Sequence, residues 1–393
     1  MRRATWTTGL TVFLLTAVSI FVKVTYGQGG PEQPPLRLDA LVPELRARIQ
    51  LAQGLPVLHL SGSPREMGRQ HGAILGDRIR HLLRVYIRGF AFTVVSEKNC
   101  REWARVAESH IAEHHLEEIR GLAEGADISY DDALLINTVV DLLQSVFCST
   151  VTASGDAAKN GEPIFGRNLD FPGRGMLHKA TVVLVWHREG APDLVSVTWP
   201  GLIGVLSGMN DRGVVGATMM IHQFLDEPTP GTPYMLLYRQ ALEQAGSIAD
   251  VTRAIESGAR TCPNNFMTMD ATGASAVIEW DTDKIAVRQP ENGCLCSTNY
   301  FRSDVLKDVG TPLGLNRYDD LSEFLTRSHG RIGVDEIKAV LRKVARPWYV
   351  NVQSMVFLPR QKTVHVAVAQ RLPAASQPYV ELDAATLFGF ETP

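Results

Sequence analysis

The chain has 393 residues, 45% of them hydrophobic and 21% charged, with 39 Lys and Arg against 42 Asp and Glu for a formal charge of −3. This composition excludes wholesale disorder, and it lacks the basic excess of a nucleic-acid binder. Five cysteines are too few for a disulfide scaffold and odd in number, so at least one thiol has no intramolecular partner.

Arg2 and Arg3 precede an apolar run from Gly9 to Phe21, which Lys23 ends. Charge order and core length match a secretory signal, and the run is short for a spanning helix, which needs about 20 apolar residues. Residues 1–27 are therefore expected to be a signal peptide, with an uncleaved anchor as the alternative. The protein is expected to be secreted or periplasmic, in contact with a membrane only if that segment stays. Residues 28–36 form a Gly/Pro-rich tether without core-forming residues.

Residues 37–147 read as mostly helical. Leu75, Ile79, Leu82, Leu83, Tyr86, Ile87 and Phe90 recur at steps of three and four, an amphipathic pattern. Gly68, Gly72 and Gly76 step by four before it and would admit another backbone closely. A second helix is expected near Ala104 to Ala123, stopping at Gly125. A third is expected from Tyr130 to about Leu143, capped by Ser129.

From Cys148 the period changes to two. Cys148 to Ala158 and Glu162 to Asp170 flank Asn160-Gly161, a hairpin signal. Strands are expected near 180–187, 193–198, 202–208 and 214–221, with Asn210 to Gly213 as a turn and Asn210 as a structural residue. A helical pair over 233–257 follows, with Ser247 as a cap and Gly258 as the stop. Strands near 264–269, 275–281, 284–288 and 294–298, helices over 318–328 and 334–345, and strands near 351–358 and 363–370 close the set. Helices and strands come in blocks, so the class is α+β with stacked layers and not alternating βαβ.

No histidine spacing suits a metal; His114-His115 lies in neither an HExxH nor a Cys/His pattern. Cys294-Leu295-Cys296 reads as buried small residues or as a disulfide with Cys262 or Cys100. GxGxxG, GxxxxGK[ST] and GxSxG patterns are absent, so no metal and no organic cofactor is expected. The thiols remain. Cys148 could pair with a histidine such as His178, His187 or His222 in a papain-like dyad, although FCST does not resemble the sequences around such cysteines. Alternatively, Arg167 and Asp170 on the returning strand could serve it, since a guanidinium near a thiol favours the thiolate. With Asn160-Gly161 at the turn centre, however, Asp170 pairs near Val151, so contact with Cys148 needs a bulge or a longer loop.

Cys148-Ser149-Thr150 followed by Gly166-Arg167-Asn168-Leu169-Asp170-Phe171 resembles the N-terminal-nucleophile (Ntn) hydrolases of the choloylglycine hydrolase and penicillin acyltransferase group. Acid ceramidase and N-acylethanolamine acid amidase are more distant relatives. Glu117 to Ala126 resembles the pro-segment of the acyltransferase branch. Met209 to Gly213, Ser297-Thr298-Asn299-Tyr300-Phe301 and Asn316-Arg317-Tyr318 match further along. The resemblance covers about residues 55–390 and implies a four-layer αββα sandwich. It also implies self-cleavage of the Phe147–Cys148 bond, which would make residues 37–147 a helical α chain and 148–393 the β chain with the catalytic sandwich.

By this resemblance Cys148 is the nucleophile and its own freed amine the proton shuttle. Arg167 stabilises the thiolate, Asp170 orients the amine, Asn299 donates to the oxyanion and Arg317 supports the site electrostatically. Bile-salt hydrolases carry an oxyanion Asn, and penicillin V acylases a Tyr, where this chain has Met220. Here only a backbone N–H could serve, with His222 nearby as a substitute. Gln370 stands where acyltransferase relatives usually carry Gly. Met219, Met220, Ile221, Phe224 and Trp199 are candidates for an apolar acyl pocket. The expected protein is thus an exported, self-cleaving thiol amidase. It acts on a linear amide bond of a small N-acyl substrate, with acyl transfer compatible and a homo-oligomer left open. The alternatives are an unprocessed Cys/His hydrolase and a non-enzymatic exported binding domain on a degenerate version of this fold.

Overall fold

The structure is a computed structural model that describes residues 31–143, 147–222, 228–310, 312 and 314–390. The expected signal peptide, the first residues of the tether and Phe224 lie outside the described residues.

The chain opens with a hairpin, β1 (Ile49–Ala52) and β2 (Leu55–Ser61). It turns at Gln53-Gly54, both at positive φ. Then come α1 (Pro64–Leu82), which continues as a π-helix over Leu83–Ala91, α2 (Glu97–Glu108), α3 (Glu113–Ala126) and α4 (Tyr130–Ile136). Six strands follow: β3 (Phe147–Gly155), β4 (Gly161–Asp170), β5 (Val182–His187), β6 (Leu194–Thr198), β7 (Ser207–Asn210) and β8 (Val215–Met220). After α5 (Tyr234–Leu242) and α6 (Ile248–Ser257) come β9 (Asn264–Met269), β10 (Ser275–Trp280), β11 (Ile285–Arg288) and β12 (Cys294–Ser297). Helices α7 (Leu315–Ser328) and α8 (Val334–Val344) precede β13 (Asn351–Leu358), β14 (Thr363–Val368) and β15 (Val380–Leu382).

Among the described residues these strands make two sheets. One is nine-stranded, ordered β1-β2-β5-β6-β7-β8-β9-β10-β11, and the other six-stranded, ordered β12-β3-β4-β13-β14-β15. The sheets meet face to face, with the Thr150 hydroxyl 3.2 Å from the Met219 sulfur. Helices α7 and α8 bury Leu321, Leu325, Ile337 and Leu341 against Val151, Ile164 and Val356 of the smaller sheet. The other helices cover the larger one, so the layers run αββα as expected. Because both faces of each sheet are covered, the central strands read as continuous apolar runs: Val182, Val183, Leu184, Val185 and Trp186 are all fully buried.

Helices α1 and α3 pack backbone to backbone. A Cβ on Gly68 would lie 2.0 Å from the Glu118 carbonyl oxygen, and one on Gly121 would lie 2.0 Å from the Arg65 carbonyl oxygen. The four-residue step of glycines is therefore a contact seam, and Gly125 belongs to it, facing the Arg69 carbonyl. Gly125 is not the helix stop; that role falls to Asp127 in the left-handed region. The expected helix over 104–123 is two helices, parted at residues 109–112. Ser129 does cap α4, accepting from Asp132 N–H, and Ser247 caps α6 through Asp250 N–H.

Two expectations need correction. Residues 37–147 are not simply helical, because β1 and β2 sit in the nine-stranded sheet, β2 running parallel to β5. Leu55–Ser61 is buried along its whole length, so it shows no alternation; Gln53-Gly54 was the available signal. Asn160-Gly161 is also not the centre of a two-residue turn. The strands part at Gly155, with a register shift between Ala153 and Gly155. Ala157 and Ala158 fold under the hairpin end, where Lys159 N–H donates to the Ile332 carbonyl. All five cysteines are free thiols, so no disulfide joins Cys262 or Cys100 to Cys294 or Cys296.

Gly121→Ala tests the helix seam. Intrinsic propensity alone predicts a gain of about 1 kcal/mol for alanine in a helix. The backbone clash reverses the sign, and a loss of about 1–3 kcal/mol is expected from forcing the helices apart. Denaturant unfolding of the variant checks it.

Candidate active site

The hairpin register builds the site. Cys148 stands opposite Leu169, Thr150 opposite Arg167 and Phe147 opposite Asp170. Directly paired residues share a face of the sheet. Cys148 and Arg167 therefore point between the two sheets, while Asp170 lies on the other face, towards α7. A second irregularity, a register shift between Asn351 and Gln353 of β13, sets Asn351 opposite Asp170.

Cys148, Arg167, Asp170 and Asn299 are fully buried, and Arg317 nearly so. Arg167 is held by its Nε on the Ser207 hydroxyl at 3.1 Å and its Nη1 on the Thr218 carbonyl at 2.5 Å. Its Nη2 finds no acceptor within hydrogen-bond distance. Burial pushes the Cys148 thiol above its ordinary pKa. The Arg167 guanidinium and the Asp170 backbone N–H pull it down, while the Asp170 charge pushes it up. Burial dominates and favours the protonated thiol, so a nucleophilic role for it requires a base.

The backbone of Cys148 is clamped at both its N–H and its carbonyl, which belong to the successive peptide groups on either side of its Cα. Its N–H donates to Asn299 Oδ1 at 2.6 Å, and its carbonyl accepts from Arg317 Nη1 at 3.0 Å. Arg317 also donates from Nη1 to Asp170 Oδ2 at 3.2 Å and from Nη2 to Asn299 Oδ1 at 3.0 Å. Asn351 Nδ2 donates to Asp170 Oδ1 at 2.7 Å. Asn299 Nδ2 donates to the Met220 carbonyl at 2.8 Å. Two donors on Oδ1 and an acceptor on Nδ2 fix which way this amide points. Burial raises the Asp170 carboxyl above its usual range, and Arg317 and Asn351 oppose that rise.

Arg317 sits in the first turn of α7, where the helix dipole disfavours a cation. The ion pair to Asp170 is the physical reason for a cation there. Gly314, at φ +88°, caps that helix, and a Cβ on it would lie 2.7 Å from Arg317 Nη2.

A family model described as "Acyl-coenzyme A:6-aminopenicillanic acid acyl-transferase" matches residues 157–370, more than half of the chain. The chain belongs to that family. Arg167, Asp170, Asn299 and Arg317 lie inside the matched segment and Cys148 nine residues before it. An uncharacterized protein of Archaeoglobus fulgidus is 24% identical over 355 residues, covering 76% of this chain and 59% of that one. The N-acylethanolamine-hydrolyzing acid amidase of Oryctolagus cuniculus is 31% identical over 141 residues, covering 33% of this chain and 37% of that one. The chain thus spans little more than a third to three fifths of the length of these relatives. Among solved structures, the Caenorhabditis elegans ortholog of that amidase aligns with a TM-score of 0.43 at 19% identity, over 54% of this chain and 93% of that one.

In this acyl-transferase family member the five residues expected to be catalytic come together. Met220 contributes its carbonyl, taken by Asn299 Nδ2, where its N–H was the expected contact. His222 stacks on the Phe147 ring with centroids 4.9 Å apart. His187 is engaged elsewhere, between Asp193 at 2.6 Å and His59 at 3.0 Å. Of the expected acyl-pocket residues, Met219 and Met220 are packed in the core, and Ile221 joins Phe301 and Leu306. Trp199 does line an apolar cavity of about 50 Å³, together with Tyr86, Ile87, Val139, Leu143 and Phe171. The π-helix that supplies Tyr86 and Ile87 is an element often found at functional sites.

Sequence reasoning missed Asn351, Ser207 and Thr218. Each acts through tertiary placement, and a lone Asn, Ser or Thr in a strand carries no local signal. His114, His115 and Glu243 are the group among the described residues with metal-compatible spacing, their ligand atoms within 4.8 Å of one another. Glu243 already pairs with Arg239 and Arg188 at 2.9 Å each. Two guanidinium charges on that carboxylate disfavour a dication, and the group reads as a charge network joining α3 to α5.

Two outcomes follow from this geometry. Arg167→Gln removes a charge that lowers the thiol pKa, so alkylation of Cys148 by iodoacetamide at pH 7.5 should slow about tenfold, one pKa unit, and recover at higher pH. Mass spectrometry of the labelled peptide reads it. Gly314→Ala strains a positive φ and displaces Arg317, and turnover should fall at least about tenfold, as misplacement of a catalytic constellation does. Circular dichroism of that variant should stay unchanged.

Proposed function

We propose that this chain is an exported, self-cleaving cysteine Ntn hydrolase of small N-acyl amides. The observation that carries the reading is the clamp on the Cys148 backbone, with Asn299 on its nitrogen and Arg317 on its carbonyl. Any buried backbone group needs a partner; at Cys148, beyond the end of the β12 pairing at Ser297↔Thr150, side chains that also engage Asp170 and Met220 supply it in place of a strand. A peptide nitrogen cannot take a proton, whereas a free α-amine, with a pKa of about 7.7–8.0, can. Cleavage therefore creates the base beside the thiol it serves.

In the first stage the Cys148 sulfur attacks the Phe147 carbonyl carbon, and the C–N bond breaks to leave a thioester. Breaking that bond frees the Cys148 α-amine, which keeps the thiol proton, and water then hydrolyses the thioester to a Phe147 carboxylate and the regenerated Cys148 thiol. In turnover the amine takes the thiol proton, the sulfur bonds to the substrate acyl carbon, and the proton passes to the departing amine nitrogen. Water or an acceptor amine then attacks the thioester. Arg167 holds the sulfur's negative charge, Asp170 orients the new amine, and Asn299 donates to the oxyanion. Arg317 fixes Asp170 and Asn299 relative to Cys148. Met220 and His222 border the substrate.

The relatives named for hydrolysing N-acylethanolamines support an N-acyl amide as the substrate. Residues 37–147 and 148–393 become two chains that stay together, because β2 remains paired with β5 after the cut. Among the described residues no helix is long and apolar enough to cross a membrane. Export rests on the N-terminal sequence pattern.

Intact mass of the purified protein tests processing. Two fragments are expected, the larger beginning at Cys148, and a single chain in Cys148→Ala. A wild type that turns over amides while every molecule remains uncut would falsify the reading. In the processed enzyme, Asn299→Ala should lower kcat by ~10²–10³-fold, the range for loss of an oxyanion donor. Steady-state kinetics on a series of N-acyl ethanolamines measures it.

A further inference from the structure

Self-cleavage and turnover share one intermediate, an acyl group held as a thioester on Cys148. In self-cleavage that acyl group is residue Phe147. Its side chain therefore marks where substituents near a substrate's carbonyl will lie, and the surroundings of that ring are specific. The imidazole of His222 stacks on one side at 4.9 Å with an interplanar angle of 29°. The Arg346 guanidinium lies over the ring at 5.3 Å from its centroid. Arg346 Nε is buried without a hydrogen-bond partner, and among the described residues no carboxylate pairs with this guanidinium. Arg346 is half-buried and its charge reaches Asp170 at longer range, and a partly desolvated cation gains from the negative face of an aromatic ring. An aliphatic group of the same volume offers it nothing comparable.

We propose that the slot between His222 and Arg346, filled by Phe147 in the uncut chain, is the acyl subsite of the processed enzyme and selects an aromatic ring two carbons from the scissile carbonyl. This inference rests on the amidase reading above and names its substrate class: amides of 3-arylpropanoic acids, N-blocked phenylalanyl amides among them. His222 and Arg346 are specificity-determining residues. The bond changes are those of ordinary turnover: the acyl carbon exchanges its nitrogen for the Cys148 sulfur, the thiol proton leaves on the amine, and water completes hydrolysis. The Phe147 carboxylate end must leave the slot before substrate enters.

The test uses the full processed protein and three ethanolamides, of 3-phenylpropanoic, 3-cyclohexylpropanoic and hexanoic acid. The cyclohexyl compound matches the phenyl compound in size and lacks the π face. Wild type should prefer phenyl over cyclohexyl by about tenfold in kcat/KM, the scale of a desolvated cation–π contact. Arg346→Met and His222→Leu should each shrink that ratio towards one, with circular dichroism matching wild type to show that they fold. Self-cleavage supplies an independent readout: Phe147→Tyr should process at near the wild-type rate and Phe147→Leu about tenfold more slowly on the same grounds. Equal turnover of the phenyl and cyclohexyl amides by a processed, active enzyme overturns the ring slot and leaves the amidase reading intact. Failure to turn over any amide, by protein that is fully cut at Cys148, overturns the amidase reading and the ring slot with it.

Discussion

The buried ion pair between Arg317 and Asp170 is the constraint on which the site depends. Arg317 comes from the helical layer, and Asp170 ends a strand of the sheet beneath it. Through one guanidinium they also hold the Cys148 carbonyl and the Asn299 amide. Such a pair is a weak source of net stability, because desolvation offsets most of the attraction. Removing one partner is another matter, since an uncompensated buried charge costs about 3–5 kcal/mol. The pair persists because every oxygen of Asp170 is satisfied, one by Arg317 and the other by Asn351. It fixes position, and position is what a nucleophile, its amine and an oxyanion donor require of one another.

Register is the second constraint, and it shows where sequence reading works and where it stops. Apolar runs bounded by turn residues placed most strands within a residue or two, and β9 and β13 at their observed bounds, whereas the strand expected near 202–208 is β7 at Ser207–Asn210. Cap residues placed α4 and α6. The pairing of β3 with β4 could not be read locally. A turn centred on Asn160-Gly161 would put Asp170 opposite Val151, beyond reach of the thiol. The observed pairing puts it opposite Phe147, because Ala157 and Ala158 are drawn under the hairpin end and bridge to Ile332. That pull comes from a segment about 170 residues away, and nothing in the hairpin's own sequence announces it. Motif resemblance named Arg167 and Asp170 correctly as neighbours of Cys148 where spacing alone argued against Asp170.

The same limit explains β1 and β2. A strand covered on both faces has no polar partner at every second position, so Leu55–Ser61 does not alternate. A helical reading of residues 37–147 then hides a structural fact with consequences for processing. The segment before the cut contributes two strands and the helix pair α1 and α3, locked through glycine contacts and through Arg239, which bonds Glu118 of α3 at 2.6 Å and Glu243 of α5 at 2.9 Å. Cutting one peptide bond inside such a body frees a nitrogen without freeing a chain. In the proposed processing the new amine would stay in the clamp that held the backbone, so a hydrolysis would build a catalyst instead of dismantling a fold.

The charges around Cys148 bear on how that amine works. Arg167, Arg317 and Arg346 all act on the same buried carboxylate, Asp170. A cluster with three cations and one anion stabilises negative species, and a cysteine hydrolase passes through two of them, the thiolate and the tetrahedral oxyanion. In the proposed mechanism the same excess opposes a positive charge on the amine that cleavage would free. Burial acts in the same direction, because it too penalises the ammonium form. Asp170 works against both and keeps the ammonium accessible once the thiol has given up its proton. Thiol and amine thereby approach each other in proton affinity from opposite sides: Arg167 draws the thiol down from where burial put it, and the carboxylate draws the amine up. A proton shared between groups of near-equal affinity moves at little cost, and in the proposed mechanism the Arg167 guanidinium and the Asp170 carboxylate push thiol and amine towards that condition.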